Sequence, residues 1–525
     1  MLLATRLYLR APVVYDFDAF THLGWARIYL VQGLWSHGFP WLPYSVVGQC
    51  GADNWYVFHV LLVPFTLAPH PLLQIAAAGT CLTFACLLLL WWALRLLRVR
   101  AAWLWPFLMV LAGPGTAGRY TMVRPHVISN ALELLIIPFL CWGQLWQIAL
   151  IGFVAAGVHL NVSWLLPLIA SVWLVVNRLT TRRWEWRRLL AVIGGVVAGG
   201  VLQPNPLGSA RLMWVQTYSV LRAHAQGVFM TTPLDLKPLD LATLRAGFLP
   251  VLAVWLVTIG LWLTVGIRRN GPDGDPADLR SASPFGPSLG GGGRWRTPLW
   301  TCLALSVLFL VLSVVAGRRA TDQWLIFGLA GAALIVTVLA ERPGAREWLR
   351  RRGLVRLAIG LAAALLVAGN GYQAESRSEA AGAAVMPFPL RLQAACDYLR
   401  GHAPPGVMVF SPHWEYFPEL FFWDPNHTYY AGFDPVFTYA FSPDLYWKSL
   451  HMRAGDCART CGQPQCAPGP GEDTYTVLRR DFHAGFLLLS KRDDPNFCNY
   501  AAGDRRFSLR YTDREFMVFA LNGGG

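Results

Sequence analysis

Between residues 72 and 371 the chain alternates long apolar runs with short polar clusters, and the clusters are in turn arginine-rich and arginine-poor. Runs at about 72–95, 101–117, 128–146, 148–162, 164–178, 189–204, 244–267, 298–316, 322–340 and 354–371 are long enough to predict some ten or eleven transmembrane helices. Trp55 to Leu67 is too short to span and too apolar to be solvated, which predicts an interfacial or re-entrant helix closed by Pro69-His70-Pro71. Met1 to Leu9 reads as the last two turns of a further span, with no cleavable signal pattern. From Tyr372 onward the pattern is that of a soluble domain. An amphipathic helix is expected over 388–402, and strand-like runs at 406–410, 486–489 and 515–519 predict a small α/β domain.

Composition agrees with this division. Hydrophobic residues make up 55% of the 525 positions and charged residues only 14%, with a mean hydropathy of +0.40, too apolar for a soluble enzyme of this size. A net charge of +14 would point to nucleic acid in a soluble chain. Here the arginines cluster between apolar runs, as the positive-inside rule requires, and nucleic acid is excluded as a partner. With the opening loop outside, Arg95/Arg98/Arg100, the group from Arg178 to Arg188, Arg268/Arg269/Arg294/Arg296 and the group from Arg342 to Arg356 all fall on the cytoplasmic side. The other side collects Arg124-Pro125-His126, His159-Leu160-Asn161, Gln203 to Gly208, Arg318-Arg319 and everything after Gly371. The expected organisation is a transmembrane domain over 1–371, with an external loop at 15–70 and a flexible cytoplasmic loop at 268–297, followed by an external domain over 372–525. Lysine occurs only at 237, 448 and 491, the usage of a GC-rich genome, which together with the absence of a retention signal favours a bacterial inner membrane.

Chemistry concentrates ahead of the first long run, in Tyr15-Asp16-Phe17-Asp18-Ala19-Phe20-Thr21-His22-Leu23 and Asp53-Asn54-Trp55-Tyr56-Val57-Phe58-His59. A helix starting at Asp18 puts Asp18, His22, Trp25 and Tyr29 on one face, at i, i+4, i+7 and i+11, a polar and aromatic surface suited to a hydroxylated ligand. An Asp followed four residues later by His-Leu, a helix ending in Gly, and a second Asp/Trp segment entering a membrane helix resembles the first external loop of the GT-C class of membrane glycosyltransferases, which includes oligosaccharyltransferase catalytic subunits and protein O-mannosyltransferases. The resemblance implies a GT-C-like all-α membrane domain and a catalytic or metal-binding carboxylate at Asp18, with His22 matching the loop histidine.

Glycosyl transfer needs a base or metal to activate the acceptor and positive charge to stabilise the departing phosphate. Asp18 is the candidate base, with Asp16 and Asp53 as further acids. Asp18 and Asp53 are also candidate ligands for a divalent Mg or Mn ion, since such ions take hard oxygen donors. The alternative for Asp16 or Asp18 is plain helix capping. Trp55 and His59 are expected to line the substrate site. Arg124 and His126 are candidate phosphate-binding groups, Arg because its fork donates two parallel charge-assisted hydrogen bonds. Asn130 and Glu133 continue the His126 face into the next span, where polar groups are costly unless they face a site. This region resembles the second external loop of the same class, but with Arg-Pro in place of acids. Arg319 is a further phosphate candidate, and His413-Trp414-Glu415-Tyr416 resembles the Trp-Trp-Asp acceptor motif of oligosaccharyltransferases.

Cys50, Cys396, Cys457, Cys461, Cys466 and Cys498 are expected outside and suited to disulfides, with zinc at Cys457-x3-Cys461-x4-Cys466 the alternative. The reading is a glycosyltransferase that moves a sugar from a polyprenyl-phosphate lipid to a lipid, glycan or protein acceptor on the external face, in contact with membrane lipids. The rivals are a transporter or flippase of lipid-linked sugars, which would distribute charge along a path through the bilayer, and a catalytically silent assembly partner.

Overall fold

The computed structural model describes residues 17–111, 114–228, 238–267, 293–341, 369, 372, 391–453, 457–466 and 471–522. Asp16, the Met1–Leu9 segment, the linker 271–292 and all of the expected span 354–371 except Gly369 lie outside the described residues. The described residues form two compact units, one from 79–201 and 233–379, the other from 8–78, 202–232 and 380–525. The described part of the opening loop, 17–70, clusters with the second unit.

The second unit opens with helix α1 (Asp18–Gln32), which ends at Gly33, whose positive φ of 92° suits glycine. The short α2 (Tyr56–Leu62) runs into a 3-10 turn, Val63–Leu67, where Pro64 removes a helical N–H donor. This matches the short apolar element expected before Pro69.

Further along the chain come α3 (Pro71–Leu96), α4 (Trp105–Val110), α5 (Pro114–Thr121), α6 (His126–Trp142), α7 (Leu145–Val158), α8 (Leu165–Thr181), α9 (Trp186–Val201), α10 (Leu249–Ile267), α11 (Gly293–Val315) and α12 (Thr321–Glu341). Among the described residues four helical stretches are long and apolar enough to cross a membrane, Pro71–Leu96, Leu160–Thr181, Trp295–Val315 and Arg318–Glu341, with shorter apolar helices at His126–Trp142, Leu145–Val158 and Val251–Leu263. The expected span 101–117 is two short helices instead, because a proline cannot continue a helix: Pro106 opens α4 and Pro114 opens α5. Likewise α9 stops at Val201, ahead of Pro204 and Pro206, rather than reaching 204.

Within the first unit α12 is the central helix, buried almost continuously from Thr321 to Ile335 and packed against α6, α10 and α11. Helices α7 and α9 approach more closely than side chains would allow. Gly195 and Gly199 face α7, and a methyl group on Gly195 would fall 2.0 Å from the Ala149 carbonyl oxygen, one on Gly199 2.4 Å from that of Phe153. Such small-xxx-small spacing lets helix backbones touch where lipid removes the hydrophobic drive for association.

The rest of the second unit is a mixed sheet with helices α13 (Gln393–His402), α14 (Phe417–Trp423), α15 (Thr474–Arg480) and α16 (Pro495–Gly503). Its strands are β1 (Met408–Phe410), β2 (Thr428–Tyr429), β3 (Ala484–Ser490), β4 (Phe507–Thr512) and β5 (Phe516–Leu521), in the order β2-β1-β3-β5-β4. β1 runs parallel to both β2 and β3, and β5 runs antiparallel to β3 and β4. The strand period of two splits the sheet between two cores: Val409, Leu488 and Val518 face one, with Trp25, Tyr29, Phe39 and Leu42 of the opening stretch, while Phe410, Leu487, Leu489 and Phe519 face the other.

Replacing Gly195 by Val should push α7 from α9 and cost about 1–3 kcal/mol, as overpacking does, because the obstacle is backbone that cannot rotate away. Gly194→Val, at a position where an added methyl meets nothing within 4 Å, is the control. A lowered thermal midpoint for the first and a retained one for the second, in detergent, checks the packing.

Candidate functional site

In the second unit α1 and α2 bring the opening polar residues together. His59 is fully buried, His22 is 4% and Asp53 7% exposed. The imidazole nitrogens His22 Nδ1 and His59 Nε2 lie 2.7 Å apart, and His59 Nδ1 lies 2.6 Å from Asp53 Oδ2. The Tyr29 hydroxyl donates to the same Oδ2 at 2.8 Å, and the Trp55 backbone N–H donates to Oδ1 at 2.9 Å. Burial, and then the neighbouring Asp53 charge, push the Tyr29 phenol up, so Tyr29 remains a donor. Trp25 stacks flat on the His59 ring, with 5.8 Å between centroids and 8° between planes, while Trp55 and Phe58 meet His22 edge-on. The indole N–H of Trp55 is buried and has no hydrogen-bond partner among the described residues.

The expected face of α1 is therefore present in His22, Trp25 and Tyr29, all buried against α2 or its neighbours. Asp18 lies in the first turn, one turn ahead of His22. Phe17 occupies the N-cap position and Asp18 is the acid of the first turn.

A divalent ion at Asp53 does not fit these neighbours. Both carboxylate oxygens are engaged by N–H and O–H groups, and a phenol, an indole and two imidazoles surround them where a hard cation would take oxygens. Among the described residues the only grouping with metal-ligand spacing is His451, Cys461 and Cys466, and there the two cysteines form a disulfide. Cys50, Cys396, Cys457 and Cys498, the other candidate disulfide residues, are buried, and Cys461 and Cys466 of the Cys457-x3-Cys461-x4-Cys466 zinc reading are bonded to each other.

The first unit carries a separate polar cluster around the start of α6. Arg124 is half-buried in the turn before it, and His126 Nε2 lies 3.1 Å from the Arg119 carbonyl oxygen. Arg119 and Arg124 are the positive groups beside His126, and Arg319, exposed beside Arg318, stands by His159. Arg119 itself is committed to Asp322, through Nε to Oδ1 at 2.9 Å and Nη2 to Oδ2 at 2.7 Å, and Arg318 pairs with Asp240. Deeper on α6, Asn130 links Tyr120 and Gln323 by hydrogen bonds of 3.5 and 3.3 Å, and the Glu133 carboxyl is buried beside Gln323. Sequence reasoning brought out Arg124, His126, Glu133 and Arg319 but missed the Arg119–Asp322 pair and the Ser129–His159 contact at 3.1 Å. The signal was available for the first: an acid at the head of an apolar run needs a cation.

In the C-terminal part His413 is buried and lies 2.8 Å from Asp494 through Nε2, and the Tyr416 hydroxyl donates to Asp493. Two of the four residues of the acceptor-like motif thus tie a 3-10 turn to the loop after β3.

Apolar spans with polar clusters at and near helix ends, joined to a small mixed-sheet domain, define a membrane protein of the GT-C fold. Two solved structures share that fold with the whole chain. Both are of ArnT from Cupriavidus metallidurans: the apo state is 12% identical and the alignment covers 99% of this chain and 97% of that one, with a TM-score of 0.53. The form bound to undecaprenyl phosphate is 15% identical, covering 100% and 98%, with the same TM-score of 0.53. No protein-family model and no curated protein matches the chain.

Another buried acid of the second unit, Glu419 on α14, has its carboxyl pushed up to about 8 by burial, against the opposing pull of Arg391. A carboxyl raised in the folded state stabilises fully below its unfolded value near 4.5, and that contribution is lost as pH rises towards 8. The thermal midpoint should therefore fall between pH 5 and 8, and Glu419→Gln should flatten that part of the curve.

Proposed function

We propose that this chain is an integral membrane glycosyltransferase of a bacterial inner membrane, transferring a sugar from a polyprenyl-phosphate carrier to a hydroxylated acceptor on the external face. The observation that carries the reading is the agreement of the ArnT fold over the full chain, with undecaprenyl phosphate in one of those structures, and a carboxylate and a histidine one turn apart on α1. Arg124, with His126 and Arg319 in the same electrostatic cluster, binds the carrier phosphate. Asp18 accepts the proton of the acceptor hydroxyl. The new bond joins the acceptor oxygen to the sugar C1; the bond from C1 to the phosphate oxygen breaks and the polyprenyl phosphate leaves with the electron pair, through an oxocarbenium-like state. The unspent Trp55 N–H is a donor for a sugar or acceptor hydroxyl.

A transporter needs charges along a path, and the basic residues singled out here stand at helix ends: Arg124 just before α6, Arg318 and Arg319 just before α12. Asp18→Asn keeps size and hydrogen bonding but takes no proton, and should lower transfer by about 10²-fold or more in a folded, inserted protein. Purified protein with a panel of undecaprenyl-phosphate-linked hexoses and pentoses supplies the assay, and full turnover in Asp18→Asn removes Asp18 from the chemistry. Arg124→Ala should weaken donor binding with little effect on the acceptor, losing charge-assisted bonds worth about 1.5–3 kcal/mol each. Donor affinity equal to wild type would reassign Arg124 to lipid-headgroup contact.

A further inference from the structure

We propose that the turn closing α3 is a binding site for the phosphodiester headgroup of an anionic membrane lipid, held by the guanidinium forks of Arg95 and Arg98. The site uses no residue given a part in sugar transfer and does not rest on that reading.

The apolar helix α3 ends at Leu96. Beyond it Leu97, Val99 and Ala102 are buried, so the positions between them carry Arg98, Arg100 and Trp103 outward. The Arg98 N–H donates to the Arg95 carbonyl oxygen and the Val99 N–H to that of Leu94, both at 2.9 Å, the helix closure made through a residue in the left-handed conformation. Glycine is the usual occupant of that position, yet here it is Arg98 at φ 54°, and Ala101 repeats the conformation at φ 50°. A side chain kept where the backbone favours none points to a use for that side chain. Arg100 pins the turn to α12: its N–H donates to the Thr337 hydroxyl at 3.0 Å, and its Nη1 donates to the Ala340 carbonyl oxygen at 3.1 Å.

The result is a cavity of about 810 Å³ lined by Trp91, Arg95, Arg98, Arg100 and Trp103, with no carboxylate among its described lining residues. The Arg95 and Arg98 guanidinium groups have no hydrogen-bond or ion-pair partner among the described residues. Two such forks on one concavity match the paired oxygens of a phosphodiester, which accept parallel charge-assisted hydrogen bonds. The carbonyl end of a helix repels an anion, so the arginines alone supply the attraction. The tryptophans favour a lipid over a soluble phosphate. Trp91, one turn before Arg95, is 38% exposed and Trp103 64%, at the end of a helix long and apolar enough to cross a membrane, where indoles sit at headgroup depth. The arginine spacing assigns this end of α3 to the cytoplasmic face, where basic pockets at helix ends take anionic headgroups.

The test uses the full-length protein in non-ionic detergent, titrated with phosphatidylglycerol or phosphatidylcholine, the first bound lipid being read by native mass spectrometry. Wild type should take phosphatidylglycerol about tenfold or more tightly than phosphatidylcholine, since two charge-assisted contacts are at stake. Arg95→Gln/Arg98→Gln should remove that preference. Arg183→Gln/Arg187→Gln takes the same charge from exposed arginines around the start of α9 and should keep it. Arg98→Gly separates binding from folding, because glycine suits φ 54°. Its thermal midpoint in lipid-free detergent should hold or rise, while phosphatidylglycerol affinity falls about threefold or more with the loss of one fork. No lipid preference in wild type, an equal loss in the Arg183/Arg187 pair, an unchanged affinity in Arg98→Gly, or displacement of the lipid by excess inorganic phosphate overturns the assignment.

Discussion

The opening of the chain is organised by one buried carboxylate. Asp53 is withdrawn from water, and a carboxylate there costs several kcal/mol unless donors replace its hydration. Tyr29, His59 and the Trp55 N–H supply them, and each comes from a different place in the opening stretch. Meeting this requirement fixes how α1 lies against α2: Tyr29 must reach Asp53, which places Trp25 over His59 and His22 at its far nitrogen. The aromatic rings that keep water out also join the core against which the sheet packs. Stability and chemistry here draw on the same side chains, so a substitution that frees Asp53 disturbs both.

Charge is handled differently in the membrane unit. There the buried acid Asp322 has a guanidinium of its own in a two-point contact, a geometry in which the attraction offsets the loss of water for both partners.

Periodicity made the face of α1 legible, because the turn of a helix puts positions 18, 22, 25 and 29 in line whatever surrounds them. Apolar length and arginine spacing gave the membrane class, and short apolar runs in a polar setting gave β1, β3 and β5. Contacts between segments were out of reach: His22 and His59 are 37 residues apart, and nothing local says that one ring will donate to the other. Breaks were misjudged where apolar composition masked proline, as at Pro106 and Pro114, since a hydropathy window averages over the residue that ends the helix. Strand β4 went unread because Ser508 and Arg510 make an edge strand look like a loop, and β2 is only two residues long.

A fold shared at 12–15% identity is explicable on these terms. Spanning requires apolar length, not particular side chains, and close approach of α7 and α9 requires glycine only where one backbone touches another, as at Gly195 and Gly199. What must be specific is the small set of groups that hold charge away from water, and these can be exchanged as sets without altering the path of the chain. The Asp53–His59–His22 chain is such a set. Its described bonds run between residues of the opening stretch, so this constraint falls on a few positions rather than on the length of the apolar spans.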